Sequence, residues 1–155
     1  MKIATLINNI GPGQKSFYLI KEFNQLSKTT DNECAVFLEI IGVPVTKPLF
    51  PCFSVAFFAE YNGIAIATTL EEASIMLKTS NNADKYLYLW DIEWLDKVIN
   101  HKNACKILRD DRLKIIARSE SHAKTIENYC NIKPIGVVDD WNRNQLKELL
   151  ESQNA

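Results

Sequence analysis

A change of hydrophobic period across a glycine loop near the start of the chain sets the first limit on its fold. Lys2 to Ile7 is a continuous apolar run, Asn8-Asn9-Ile10-Gly11-Pro12-Gly13 interrupts it, and Phe17, Ile20, Phe23 and Leu26 then recur at helical spacing. That order reads as strand, glycine loop, helix. The alternation continues. Cys34 to Ile41 is a second strand-like run, and Pro44, Pro48 and Pro51 stiffen the loop after it, because proline cannot continue a ladder. Phe53 to Phe58 and Gly63 to Thr68 are further apolar runs around the Asn62-Gly63 turn signal, and at least the second should be a strand.

Thr69 with Glu72 three residues on forms a capping box, and Leu70, Ala73, Met76 and Leu77 then share a helical face. Asp84 to Trp90 reads as a strand that delivers Asp91, Glu93 and Trp94 into a following turn or helix. Arg112 to Ala117 is the next strand, and Ser119 caps a helix whose face carries Ala123, Ile126, Tyr129 and Cys130. Pro134 to Val138 is the last strand; Asp139 or Asp140 caps a closing helix marked by Leu146, Leu149 and Leu150. Strands alternating with helices call for right-handed crossovers. The expectation is a three-layer, Rossmann-like α/β fold over residues 1–155, with a mostly parallel sheet and helices on both faces. Ligands of such sheets bind outside the carboxyl ends of the strands, so the loops after Ile7, Ile41, Trp90, Ala117 and Val138 are the ones to inspect.

Composition narrows the function classes. With 46% hydrophobic and 24% charged residues, low complexity and bulk disorder are excluded. The apolar runs are far shorter than the roughly twenty residues of a membrane helix. No charged-then-apolar leader opens the sequence, so a cytoplasmic location with reduced thiols is expected and no membrane partner. Cys34, Cys52, Cys105 and Cys130 lie too far apart for a compact zinc signature, so neither a metal nor a cofactor is expected. Net charge is −1, yet residues 97–124 hold eight Lys or Arg against three acids. That stretch is either a solvated helix face or a surface for phosphate.

Candidate site residues cluster in the loops. Gly11, Gly13, Gln14 and Lys15 stand where backbone N–H groups and a helix dipole can hold an anion; the alternative is a tight turn in which the glycines supply unusual dihedrals. The loop is neither a Walker A motif nor GxGxxG, which disfavours NAD. In Trp90-Asp91-Ile92-Glu93-Trp94, a carboxylate can act as base and indole faces can pack on sugar rings; alternatively both indoles are core, Asp91 caps a helix and Glu93 meets solvent. Arg118, Ser119 and His122 place a guanidinium, a hydroxyl and an imidazole at another helix start, which suits phosphate or sugar contact; His122 is an acid or base there, or else a lone surface histidine. Asp139 and Asp140 bind a ligand or cap a helix.

The layout resembles the N-terminal Rossmann-like half of a GT-B-type glycosyltransferase. The resemblance rests on Lys2 to Leu26, on Lys85 to Trp94 as a central strand ending in acids, and on Ile115-Ile116-Ala117-Arg118-Ser119-Glu120 with Pro134-Ile135-Gly136-Val137-Val138-Asp139-Asp140. It implies transfer of a sugar from a nucleotide-sugar donor, with this half holding the acceptor. It further implies that Gly11 and Gly13 face the donor diphosphate, that Asp91 or Glu93 is the base, and that Arg118 or His122 contacts the cleft. The second half of the family, which holds most of the nucleotide, has no room in 155 residues, so either a partner supplies that half or the chain keeps the fold without the catalysis; a protein partner or a homo-oligomer stands among the expected partners. Two other classes stand beside this one. One is a noncatalytic binding or adaptor module using exposed aromatics and the Pro44 to Pro51 loop; the other is a nucleic-acid accessory protein using the 97–124 basic surface.

Overall fold

A computed structural model describes residues 1–29, 31–95 and 100–153. Seven strands form one all-parallel sheet: β1 (Lys2–Ile7), β2 (Glu33–Leu38), β3 (Cys52–Ser54), β4 (Ile64–Ala67), β5 (Asp84–Leu89), β6 (Leu113–Ala117) and β7 (Gly136–Val137). Five helices accompany them: α1 (Gln14–Leu26), α2 (Leu70–Lys78), α3 (His101–Leu108), α4 (Glu120–Cys130) and α5 (Arg143–Ser152). This is the three-layer Rossmann-like architecture the alternating pattern predicts. None of the described helices is long and apolar enough to cross a membrane.

The strand order is β3-β2-β1-β4-β5-β6-β7, so the chain builds outward from β1 and then reverses across it. With crossovers of one hand, the reversal moves the connecting helices to the opposite face. The core shows this division. Ile3 and Ile7 of β1 pack with Leu19, Ile20 and Phe23 of α1 and Leu146 and Leu150 of α5. Ala4 and Leu6, pointing the other way, pack with Leu70, Ala73 and Met76 of α2, Ala104 and Leu108 of α3, and Ile126 of α4. Because both faces are covered, the central strands are apolar throughout rather than alternating.

Local chemistry explains most boundaries. Thr69 and Glu72 form the reciprocal capping box, and Ser119 Oγ accepts the His122 N–H at the start of α4. The Phe53 to Phe58 run, which the sequence leaves open, is mostly not a strand: only Cys52–Ser54 pairs with β2, and Ser54 then caps a 3₁₀ segment, Val55–Glu60. Three expectations are corrected. The β2 strand stops at Leu38, short of Ile41, and the last strand shrinks to Gly136–Val137 at the sheet edge. Neither Asp139 nor Asp140 caps α5. They form a 3₁₀ turn with Trp141, and the cap is Asn142, whose side chain accepts the N–H groups of Asn144 and Gln145.

Candidate functional site

The reversal of strand order lies between β1 and β4, and their carboxyl ends are joined by one side chain. Glu72, in the first turn of α2, is 2% exposed. One carboxylate oxygen accepts the Asn8 N–H at 2.7 Å. The other accepts the Thr68 N–H at 2.8 Å, the Thr68 hydroxyl at 2.7 Å and the Thr69 N–H at 2.9 Å. A buried carboxylate taking four donors is fully used. The capping box announces Glu72 as a helix start; its reach back to β1, 64 positions earlier, carries no sequence signal, and the loop after Ala67 was not among those singled out.

Beside this tie, the glycine loop, the first turn of α1, Trp90 and Asp91 enclose a pocket of about 280 Å³. Gly13 is the N-cap of α1, in extended backbone (φ 178°, ψ 152°), and no side chain caps the helix. The first-turn amides of α1 therefore open toward the pocket. No described glycine has positive φ, which removes the unusual-dihedral reading of this loop. Close approach explains a different glycine: a Cβ on Gly42 would sit 3.1 Å from the Gly11 nitrogen, so the loop after β2 packs directly on the glycine loop. Lys15 reaches inward and donates to the Thr68 hydroxyl at 3.0 Å, while Gln14 is exposed at the rim. Asp91 is exposed and, among the described residues, has no hydrogen bond or ion pair.

A second pocket, of about 310 Å³, is lined by Arg118, Ser119, His122, Asp139 and Asp140. The Arg118 guanidinium lies 3.7 Å from the Trp90 ring centroid and binds one Asp140 carboxylate oxygen at 2.9 and 2.8 Å. Asp140 holds that position in left-handed backbone (φ 42°, ψ 47°), with Trp141 also at positive φ. Tyr88 steadies the turn from below, donating to the Val138 carbonyl at 2.6 Å and accepting the Trp141 N–H at 3.2 Å. Asp139 is held by Gln145, which bonds both its backbone and its side chain. Ser119 Oγ also meets Ser121 Oγ at 2.9 Å. His122 Nδ1 is buried without a hydrogen-bond partner among the described residues.

The structure separates groups that stand together in sequence. Trp90, 4% exposed, packs on the α1 face, and Trp94, 8% exposed, packs on the other, edge-on to His101. Neither indole presents a free face to a sugar, since Arg118 covers Trp90. Asp91 faces the glycine loop, whereas Glu93 lies in a separate groove of about 850 Å³ between α2 and α3. Glu93 accepts the Leu70 N–H at 2.8 Å. Burial, opposed by that bond and assisted by the charge of Glu72, raises its pKa above the ordinary carboxyl range.

The basic stretch divides: Lys102, Lys106 and Arg109 line one open pocket beside α3, and others are spent on separate partners. Lys97 lies outside the described residues, Arg112 is paired with Asp110 at 2.7 Å, Arg109 donates to the Cys130 carbonyl, and Lys114 lies over the Tyr86 ring. Comparison with protein-family models, with curated proteins and with solved structures gives no match to this chain.

Proposed function

We propose that this chain works as the acceptor-side half of a sugar-transferring enzyme of the GT-B type, completed by a donor-binding half from elsewhere. The observation that carries this reading is the pocket at the carboxyl edge of the sheet, where the exposed Asp91 carboxylate and the uncapped start of α1 line one space. A carboxylate with no partner among the described residues is free to accept the proton of an attacking hydroxyl. Helix-start amides favour the negative charge of a phosphate leaving group. Arg118, held over the Trp90 ring by Asp140, supplies a positioned cation at the neighbouring pocket. Glu93 is set aside as base because it serves the α2 start in a different groove.

At about 280 Å³ the pocket falls below the roughly 300–1,000 Å³ that buries a drug-sized ligand. A second wall facing the same edge would complete it. The test is a thermal-shift panel of nucleoside diphosphates, nucleotide sugars and simple glycosides on the purified chain, since a ligand selective for the folded state raises the melting temperature. The expected result is a dose-dependent rise for one class, abolished by Asp91→Ala and by Gly13→Val. No shift by any of them at millimolar concentration, simple glycosides included, overturns the reading of this chain as the acceptor side; silence of the nucleotide ligands alone does not, because the donor half comes from elsewhere.

A protein-binding module is the second reading, favoured by a specific surface. Ile40, Ile41, Val43, Val45, Leu49, Phe53 and Phe57 are all exposed, Ile41 at 89% and Val43 at 83%, and all belong to the loop after β2 or to the adjoining edge. Concentration of exposed apolar side chains in one stretch is a mark of interaction surfaces. Light scattering on the parent and on Ile41→Ser/Val43→Ser separates self-association through this loop from a monomer.

A further inference from the structure

Outside the cleft, three metal-ligating side chains meet between α3 and α4. His101 and Cys105 stand four residues apart on α3, one turn above the other, and Cys130 is the last residue of α4. Cys105 Sγ lies 3.3 Å from His101 Nε2, and the ligand atoms of all three residues fall within 4.8 Å of one another. A tetrahedral zinc ion with bonds of about 2.3 Å to sulfur and about 2.0 Å to nitrogen sets its ligand atoms roughly 3.5–3.8 Å apart. The cluster is already near that size.

The surroundings suit a cation held by thiolates. Cys105 and Cys130 are buried and His101 is exposed, so the sulfurs sit inward and the imidazole closes the outer side. Arg109, the C-cap just past α3, donates to the Cys130 carbonyl at 3.1 Å, and Asn131 ends α4 in left-handed backbone (φ 54°), which together fix the end of α4 against α3. An open pocket of about 540 Å³ lined by His101, Lys102, Cys105, Lys106 and Arg109 adjoins the cluster and gives a fourth ligand access. The main competing contact is the Tyr129 carbonyl, 2.9 Å from His101 Nε2, which coordination through that nitrogen displaces.

We propose that His101, Cys105 and Cys130 form a three-ligand site for a soft divalent cation of the Zn²⁺ class, clipping α3 to α4 with its fourth position open to solvent. Two thiolates and an imidazole select zinc over magnesium or calcium, which take oxygen ligands. The sequence hides the site because the third ligand arrives only after β6 and the length of α4.

The chelator-stripped 155-residue chain, kept reduced, is titrated with Co²⁺ and then with Zn²⁺. The expected result is one equivalent of Co²⁺ with a thiolate-to-metal charge-transfer band, displaced by Zn²⁺. His101→Ala and Cys105→Ser should each weaken binding by more than the about tenfold that loss of an outer-shell partner costs. Cys52→Ser, which removes an exposed thiol elsewhere, should leave binding unchanged. Because His101 is exposed, its substitution reads out the site without disturbing the core. Absence of the charge-transfer band, or a band that survives both His101→Ala and Cys105→Ser, overturns the proposal.

Discussion

The Glu72 tie and the glycine-loop pocket are neighbours at the carboxyl edge of the sheet, and they treat polar groups in opposite ways. At the tie, one buried carboxylate accepts from Asn8, Thr68 and Thr69 and has no capacity left. At the pocket, the start of α1 is uncapped and Asp91 is exposed with no partner among the described residues. Both regions use a carboxylate and a helix start. The contrast teaches that saturation, not residue type, separates a structural acid from one with acceptor capacity to spare.

Removing Glu72 is the strongest test of that contrast. Glu72→Ala strands three backbone N–H groups and a hydroxyl near the switch in strand order, and the loss of a buried charged acceptor costs about 3–5 kcal/mol. Urea denaturation should show a fall of that size, with Asp91→Ala within about 0.5 kcal/mol of the parent as the exposed counterpart. Similar losses for the two substitutions would break the comparison, because Asp91 would then be as structural as Glu72.

Much of this was legible in the sequence, for reasons that differ by element. The strand at Lys2 to Ile7, the helix-spaced Phe17, Ile20, Phe23 and Leu26, and the Thr69 capping box are local patterns, and local pattern decides them. What was not legible depends on contacts between distant segments. Glu72 reaching Asn8, Gly42 packing on Gly11, and Trp90 and Trp94 parting to opposite faces are consequences of strand order. Phe53 to Phe58 has the composition of a strand but no local signal that decides it; Ser54, capping the 3₁₀ segment, ends the pairing with β2. Asp139 and Asp140 look like caps, but Asp140 is spent on Arg118 and Asn142 does the capping. In the candidate site, the glycine loop, Asp91 and Arg118 stand after strands, a position local pattern reveals, whereas their division between two pockets depends on strand order.

Glu93 sharpens the comparison from between the two regions. It accepts the Leu70 N–H as Glu72 accepts others, but burial raises its pKa, so the folded chain holds the Glu93 proton more tightly than the unfolded chain does. A raised folded-state pKa contributes stability that is fully present below the unfolded pKa and is lost as pH rises through the folded value. Wherever the group is ionised its charge is therefore a liability. Glu93→Gln retains an acceptor for Leu70 without the charge, and should raise Tm at pH 7 by no more than about 2 °C, since solvent reaches part of the group. The gain should shrink toward zero as pH falls into the ordinary carboxyl range. A loss of stability at every pH would move Glu93 into the same class as Glu72.

The smallest expected effect falls at Gly13, where stability and binding should part. Its extended backbone is one that serine adopts freely at an N-cap, and a Cβ there meets nothing nearer than the Gly11 carbonyl oxygen at 4.0 Å. Serine exceeds glycine at this position by only a few tenths of a kcal/mol, through a hydroxyl that accepts a first-turn N–H. Gly13→Ser should thus stabilise the chain by about 0.3 kcal/mol, measured by urea denaturation, while spending an amide that the open pocket otherwise offers to an anion. Any ligand that raises the melting temperature of the parent should raise that of Gly13→Ser less. A variant that gains stability and keeps the full ligand response would show that the start of α1 is merely uncapped, and the ligand-facing role would pass to Asp91 and Arg118 alone.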